Sequence, residues 1–452
     1  MGETTDSRDA APHAYVPDLV PHIREAATRR LEEATQLLQE LVRVPSVNPW
    51  FLPEHAVSQE SAVQDILADR LSAVGAEIDR WEPNSGELAK YEGTSGHYPG
   101  RDFTGRPNLV ARLPGGGGGR SLLILGHADV VSPGEGWSMD PFAAERRDGK
   151  VYGRGAADMK SGIASAVGAV AILAELGIRL KGDILIASVV DEEAGGMGTL
   201  ALVDRGYRAD GAIIPEPSDL NVAPLCRGIL WGRLTVPGRS GHIEMLQPDW
   251  RAGGAVDAIA HGRSVLDAIE GLNAEWRSNP AKNHPLLPLP NQIKAAMIAA
   301  GEYPTAYAER MEITFNAQYL PGERDERGLG TRVKQELEDF FAGLSSRDAW
   351  LREHPLRVEW LIDADCAETA ADAPLPVLVH SIIEQLGLRG HLEGMSSHTD
   401  MGLLVNAGIP TINFGPGAPS VAHQADEFVT ESDLHDAMTA LALTLIFWCG
   451  RE

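Results

Sequence analysis

Residues Leu122 to Val131 read L-L-I-L-G-H-A-D-V-V, and the rest of the chain is organised around them. Four apolar residues run directly into Gly126, His127, Ala128 and Asp129. A short unbroken apolar run bounded by turn formers predicts a buried strand of an α/β sheet. Ligands of such sheets bind at the carboxyl ends of strands, where His127 and Asp129 stand. Positions i and i+2 of an extended chain share a face, so imidazole and carboxylate point the same way. That pairing suits a metal-binding histidine whose neighbouring carboxylate orients it or orients a different ligand; taken alone, H-x-D more often marks a capped strand end with a solvated His–Asp pair.

Outward from this stretch, the pattern repeats. Gly149 to Gly162, G-K-V-Y-G-R-G-A-A-D-M-K-S-G, is a short strand, a glycine turn and the start of a small-residue helix. Asp158 occupies the place where a dinucleotide site wants its third glycine, and a carboxylate there would repel a pyrophosphate. It suits a cation or a helix N-cap. A further buried strand, Asp183 to Val190, ends in Asp191, Glu192 and Glu193. Adjacent glutamates can divide the work of base and metal ligand, or form a solvated acidic turn. Gly211 to Pro215 closes on Glu216, and Ile412 to Phe414 runs into a loop carrying His423. Together these strand ends deliver two histidines and several carboxylates without a thiolate, a set suited to a pair of divalent metals and to hydrolysis.

Composition bounds the rest. A chain of 452 residues exceeds one ordinary core, which predicts two domains. Its 43% hydrophobic and 23% charged residues fit a globular protein. A net charge of −25 argues against nucleic acid and anionic membrane surfaces as partners. No apolar run is expected to reach membrane-spanning length, and the N-terminus lacks a secretory pattern. Cys226, Cys366 and Cys449 are too scattered for a disulfide framework, so a cytoplasmic location is expected. Gly115 to Gly119 lacks the lysine and following helix of a phosphate loop and is expected to form a hairpin or surface loop.

Residues 1–17 are expected to be a disordered tail. A helix is expected over 18–44 and another over 60–74, with Gly75 as its cap. From Arg227 the text changes to alternation, R-G-I-L-W-G-R-L-T-V. A helix near 254–271, a strand at 311–320, a helix near 330–344 and a strand at 356–362 complete a small β-α-β-α-β unit. The expected architecture is α/β: a mixed-sheet catalytic domain with helices on both faces (18–226 and 364–452), interrupted by a smaller α+β lid and dimerisation domain (227–363).

The motifs G-H-A-D-V-V, Y-G-R-G-A-A-D-M-K-S-G, D-E-E-A-G-G, E-P-S and A-H-Q-A-D-E, in this order, resemble the acetylornithine deacetylase and succinyl-diaminopimelate desuccinylase family. That family also includes aminoacylases and bacterial glutamate carboxypeptidase. The resemblance covers nearly the whole chain beyond the tail. It implies two divalent metal ions, zinc or else cobalt or manganese. His127 and Glu216 would hold one, Glu193 and His423 the other, and Asp158 would bridge them. Asp129 would orient His127. Glu192 would be the general base for a metal-bridged water that cleaves the amide of a small N-acyl amino acid or related N-acyl amine. An exopeptidase or dipeptidase, or a non-catalytic homologue, are the other readings. The peptide bond Asp158–Met159 would be cis.

The inserted segment Arg239-Ser240-Gly241-His242 resembles the family's lid motif, whose histidine reaches the active site of the partner subunit in a homodimer; otherwise His242 sits in a surface turn. Two departures bear on substrate. Asn316, Ala317 and Gln318 stand in place of N-x-R. Thr399, Asp400, Met401 and Gly402 stand in place of T-D-A-R. Both arginines of a carboxylate clamp are absent, unless Arg324 or Arg251 substitutes for them. Asn316, Arg324 and His398 are the candidate substrate contacts, with Ser396, Ser397 and Trp137 as further candidates for the pocket wall.

Overall fold

A six-stranded mixed sheet carries the strand Leu122–His127 near its centre. The structure is a computed structural model describing residues 19–53 and 56–452, and the expected tail over 1–17 lies outside them. The strands are ordered Glu77–Trp81, Asn108–Leu113, Ile184–Val189, Leu122–His127, Gly211–Ile214, Thr411–Asn413. The last four are mutually parallel, and the first two join by antiparallel pairing. Every residue of Leu122–His127 and Ile184–Val189 is buried, which is why their text is apolar without alternation up to Gly126 and Ser188 near the carboxyl ends.

The two faces divide by alternation. Leu122, Ile124, Ile184 and Ile186 pack with the helices Leu19–Val42, Ser161–Glu175 and Glu431–Cys449. Leu123, Leu125, Leu185 and Ala187 pack with Leu202, Met401 and Leu404 on the helices Met197–Asp204 and Met401–Asn406. One correction concerns apolar length. Ala156–Glu175 is long and apolar enough to cross a bilayer by composition, against the expectation that no run is, and 89% of its most apolar window is buried inside the protein. Its neighbours Leu19–Val42 and Glu431–Cys449 cover it.

The glycine run is a loop and not a hairpin, because Ile184–Val189 lies between the strands on either side of it. A Cβ at Gly119 would come within 2.0 Å of the Cys449 carbonyl oxygen, so close backbone approach requires glycine there.

The smaller domain has its own core around a four-stranded antiparallel sheet, ordered Ile293–Ala300, Arg310–Tyr319, Gly228–Pro237, Arg357–Ala364. Helices Ala258–Ser278 and Thr331–Arg347 contribute to that core. The order is therefore β-α-β-β-α-β, one strand more than the sequence reading. The missed strand, I-K-A-A-M-I-A-A, lies at the sheet edge with every residue but Ile293 exposed. An edge strand lacking a buried face shows no alternation.

Candidate metal centre

His127 ends the central strand with 1% of its surface exposed. Its Nδ1 lies 2.8 Å from the backbone carbonyl oxygen of Asp129. A carbonyl can only accept, so Nδ1 carries the proton and the neutral ring presents a lone pair at Nε2. Nε2 is out of solvent and has no hydrogen-bond partner. It faces Asp158 Oδ1 at 3.3 Å, Glu216 Oε1 at 3.7 Å and Glu192 Oε2 at 3.8 Å. A lone pair facing three carboxylates needs a cation between them, a proton or a metal ion. Burial disfavours the imidazolium, yet the carboxylates of Asp158, Glu192 and Glu216 hold the pKa of His127 well above its ordinary value.

The same carboxylate serves a second imidazole. Asp158 Oδ2 lies 3.3 Å from His423 Nε2, which is also 3.3 Å from Glu193 Oε2. Asp158 thus turns one oxygen to each histidine. The peptide bond Asp158–Met159 is cis, as the resemblance implies. Ligand atoms of His127, Glu192 and Glu216, and likewise of His127, Asp158 and Glu193, lie within 4.8 Å of one another. The three cysteines are free and line no part of this site. The donor set is imidazole and carboxylate alone, which suits zinc, cobalt or manganese.

Burial raises the pKa of Glu192 well above the ordinary carboxylate range, with Asp400, Glu216 and Glu193 pushing the same way against His127. Glu192 and Glu193 sit on a single turn that opens at Asp191 in the left-handed region, φ 70°. The Asp129 side chain holds that turn: Oδ1 accepts from the Glu192 N–H at 3.3 Å, and Oδ2 from the Glu193 N–H at 3.2 Å and from Asn48 Nδ2 at 2.8 Å. The expected orienting contact from the Asp129 carboxylate to His127 is 3.8 Å long. The backbone carbonyl of the same residue makes that contact instead. Behind the turn, Asp191 is fully buried against Arg106 Nη2 at 3.3 Å. Asp191 and Glu427 lie inside stretches already singled out in the sequence, D-E-E and A-H-Q-A-D-E, and Asn48 lies in P-S-V-N-P after the first helix. No spacing rule separates such supporting residues from their neighbours.

These groups open on a cavity of about 600 Å³ whose wall includes Phe51, Ile229, Trp231, Ile362 and Met395. Asn316, Gln318, Ser396, Ser397 and His398 add polar groups, and no lysine or arginine among the described residues lines it. Arg324 lies outside, donating to Asp365 Oδ2 at 2.8 Å, Asn406 Oδ1 at 3.0 Å and the Cys366 carbonyl at 3.2 Å. Arg251 is exposed and its guanidinium lies 4.0 Å from the Trp250 ring centre. Trp137 also lies off the cavity, donating to the Pro133 carbonyl at 2.8 Å. Met401 is buried in the core, and a Cβ on Gly402 would meet Asp365 at 2.8 Å. Gln318 is held by the buried Arg227, which donates to its Oε1, while its Nε2 donates to the Ser396 carbonyl at 3.3 Å. His242 is exposed in the smaller domain and does not line the cavity of its own chain.

Comparison with known proteins agrees with this geometry. The chain is 29% identical over 440 residues to the N-formyl-4-amino-5-aminomethyl-2-methylpyrimidine deformylase of Bacillus subtilis, covering 93% of this chain and 96% of that protein. It is 31% identical over 422 residues to the succinyl-diaminopimelate desuccinylase of Methylobacterium radiotolerans, covering 91% and 95%. Its fold matches that of the dipeptidase Dug1p of Saccharomyces cerevisiae with a TM-score of 0.73 at 14% identity, over 95% of this chain and 98% of that one. The model of peptidase family M20/M25/M40 matches residues 123–446. With that match over more than half its length, the chain belongs to peptidase family M20/M25/M40.

Proposed function

We propose that this chain hydrolyses the amide bond of a small N-acyl amine whose amine half carries no carboxylate. The observation that carries the reading is the pairing of Asp158, one oxygen turned to His127 and the other to His423, with Glu192 at the same cavity and no lysine or arginine among the described residues in its wall. His127, Asp158 and Glu216 would hold one divalent metal, and Asp158, Glu193 and His423 the other. When bound, two such ions polarise the amide carbonyl and lower the pKa of water. Glu192 takes the proton of the attacking water and delivers it to the leaving nitrogen, so the carbon–nitrogen bond breaks to a carboxylic acid and an amine. The raised pKa of Glu192 suits a group that must hold a proton between those two events.

The apolar wall of Trp231, Ile229 and Phe51 would receive a neutral, flat amine half. The Bacillus subtilis relative is named for an N-formyl aminomethylpyrimidine, a substrate of that character. An exopeptidase would be served by a guanidinium or ammonium partner for a free α-carboxylate, and among the described residues of one chain no lysine or arginine lines the cavity. A two-fold dimer through the smaller domain accords with the exposed edge strand Ile293–Ala300 and with Ile243, Met245 and Leu246 exposed beside His242. His242 would then serve the partner's cavity. The test is hydrolysis of a panel of N-formyl and N-acetyl aminomethyl-heteroarenes, N-acyl amino acids and dipeptides by enzyme loaded with zinc, cobalt or manganese. Turnover confined to dipeptides would overturn the reading.

A further inference from the structure

Glu427 is fully buried and lies four residues beyond His423. Its Oε1 accepts two consecutive backbone N–H groups, from Ala157 at 2.9 Å and Asp158 at 3.1 Å. Its Oε2 is paired with Arg154, itself 1% exposed. The Glu427 backbone is fixed as well: its carbonyl accepts from the Gly153 N–H at 2.9 Å, and the following strand Phe428–Thr430 pairs with Lys150–Tyr152. Asp129 clasps the Glu192–Glu193 turn from the His127 segment in the same manner. Each histidine-bearing segment therefore ties down a turn that bears carboxylates.

We propose that Glu427 is a positioning residue for Asp158, fixing the carboxylate so that one oxygen meets each histidine. The inference rests on reading Asp158 as the ligand shared by both metals. Two N–H groups bound to one anionic oxygen pin the peptide planes on either side of Ala157, and with them the direction of the Asp158 side chain. Charge-assisted bonds of this kind are about twice as strong as neutral ones. Arg154 neutralises Glu427, so the carboxylate acts through its bonds without adding net charge to the acidic cluster. Glutamine at 427 would keep the shape, but its NH2 would face either the two N–H groups or the Arg154 guanidinium, donor against donor.

The test measures metal affinity of the full chain after chelation, by calorimetric titration with Zn2+ and by the absorption of bound Co2+. Glu427→Gln is expected to weaken both binding steps by about tenfold or more, because both use Asp158, and to alter the cobalt spectrum. Leu441→Ala, in the core of the helix Glu431–Cys449, lowers the melting temperature and leaves both affinities in place. A folded Glu427→Gln protein with wild-type affinities and spectrum overturns the proposal. If Glu427→Gln does not fold, Glu427→Asp decides in the same way, since it keeps the charge and shortens the reach. If the wild-type chain takes up a single metal ion, the two-metal reading fails, while the one affinity still reports on Glu427 through Asp158.

Discussion

The Asp129 carboxylate and the His127 imidazole stand on the same strand end without a close contact: Nδ1 meets the Asp129 backbone carbonyl at 2.8 Å and the carboxylate at 3.8 Å. The side chain is spent on the Glu192–Glu193 turn and Asn48. Asp129→Ala would leave the His127 tautomer alone and strand the Glu192 and Glu193 N–H groups, at about 1–3 kcal/mol for each buried group left unpaired, while Asn48 Nδ2 keeps Asp191 Oδ1 at 3.3 Å. Activity should fall roughly 10–100-fold. On the proposed two-metal reading, affinity should drop mainly for the metal that Glu193 and His423 would hold, while the ion assigned to His127 and Glu216 should be retained. Equal loss of both ions on metal analysis would show that the carboxylate does act through His127.

The paired glutamates separate by the same measurement. Glu192→Ala should keep both metals and lower kcat by about 10²–10⁴-fold, the range of a lost general base. Glu193→Ala should lose occupancy at one site, since Oε2 stands 3.3 Å from His423. Metals lost in the first variant, or both retained in the second, would reverse the roles.

Much of this was legible in the text, and the rest was not, for identifiable reasons. Buried parallel strands announce themselves as apolar runs, and their carboxyl ends place His127, Glu192, Glu193 and Glu216 together whatever lies between. The exposed edge strand Ile293–Ala300 had no period to read. The role of Asp129 turned on which of two oxygen-bearing groups of one residue faces the ring, a matter of backbone path. Arg324 read as a candidate substrate contact, while the fold brings it Asp365 and Asn406 from far along the chain.

Substrate charge is the third expectation. An uncompensated charge in a buried site costs about 3–5 kcal/mol, so kcat/KM for neutral N-acyl amines should exceed that for acetylornithine or succinyl-diaminopimelate by roughly two powers of ten or more. High efficiency on either anionic compound would defeat this. Gln318→Arg, the simplest way to restore a clamp, meets an obstacle the sequence does not show. It sets a second guanidinium against the buried Arg227 and removes one of its acceptors, leaving the Pro290 and Leu289 carbonyls. A lower melting temperature, rather than a gain of anionic substrates, is expected.

His398 gives a pH signature. Burial lowers its pKa from 6.5 to about 4, so between those values the unfolded chain binds the proton more readily. The stability from keeping this ring neutral is complete above about pH 6.5 and is lost as the pH falls towards 4. Asparagine can place its Nδ2 where His398 Nδ1 now donates to the Asp365 carbonyl at 3.0 Å, and it does not titrate. In chelated samples, the melting-temperature advantage of wild type over His398→Asn should shrink steadily from pH 7 to 4. A difference that stays constant would mean that the ring is not held neutral by the fold.

The last expectation is an active site completed across a dimer. His242 lies on an exposed segment of the smaller domain, outside the cavity of its own chain, beside Ile243, Met245 and the fully exposed Leu246. A two-fold arrangement would offer each His242 to the other chain, where a ring N–H could meet the developing oxyanion and so favour the transition state over the ground state. His242→Ala should then lower kcat strongly with normal metal content. Glu192→Ala should lose activity for a different reason, and the two variants can be mixed after dissociation. In a mixed dimer, the chain that keeps Glu192 receives His242 from its partner, and the other site lacks both groups. Random reassortment of equal amounts makes half the dimers mixed and half their sites whole, restoring roughly a quarter of wild-type activity. If the subunits demonstrably exchange and no activity returns, His242 does not act across the interface.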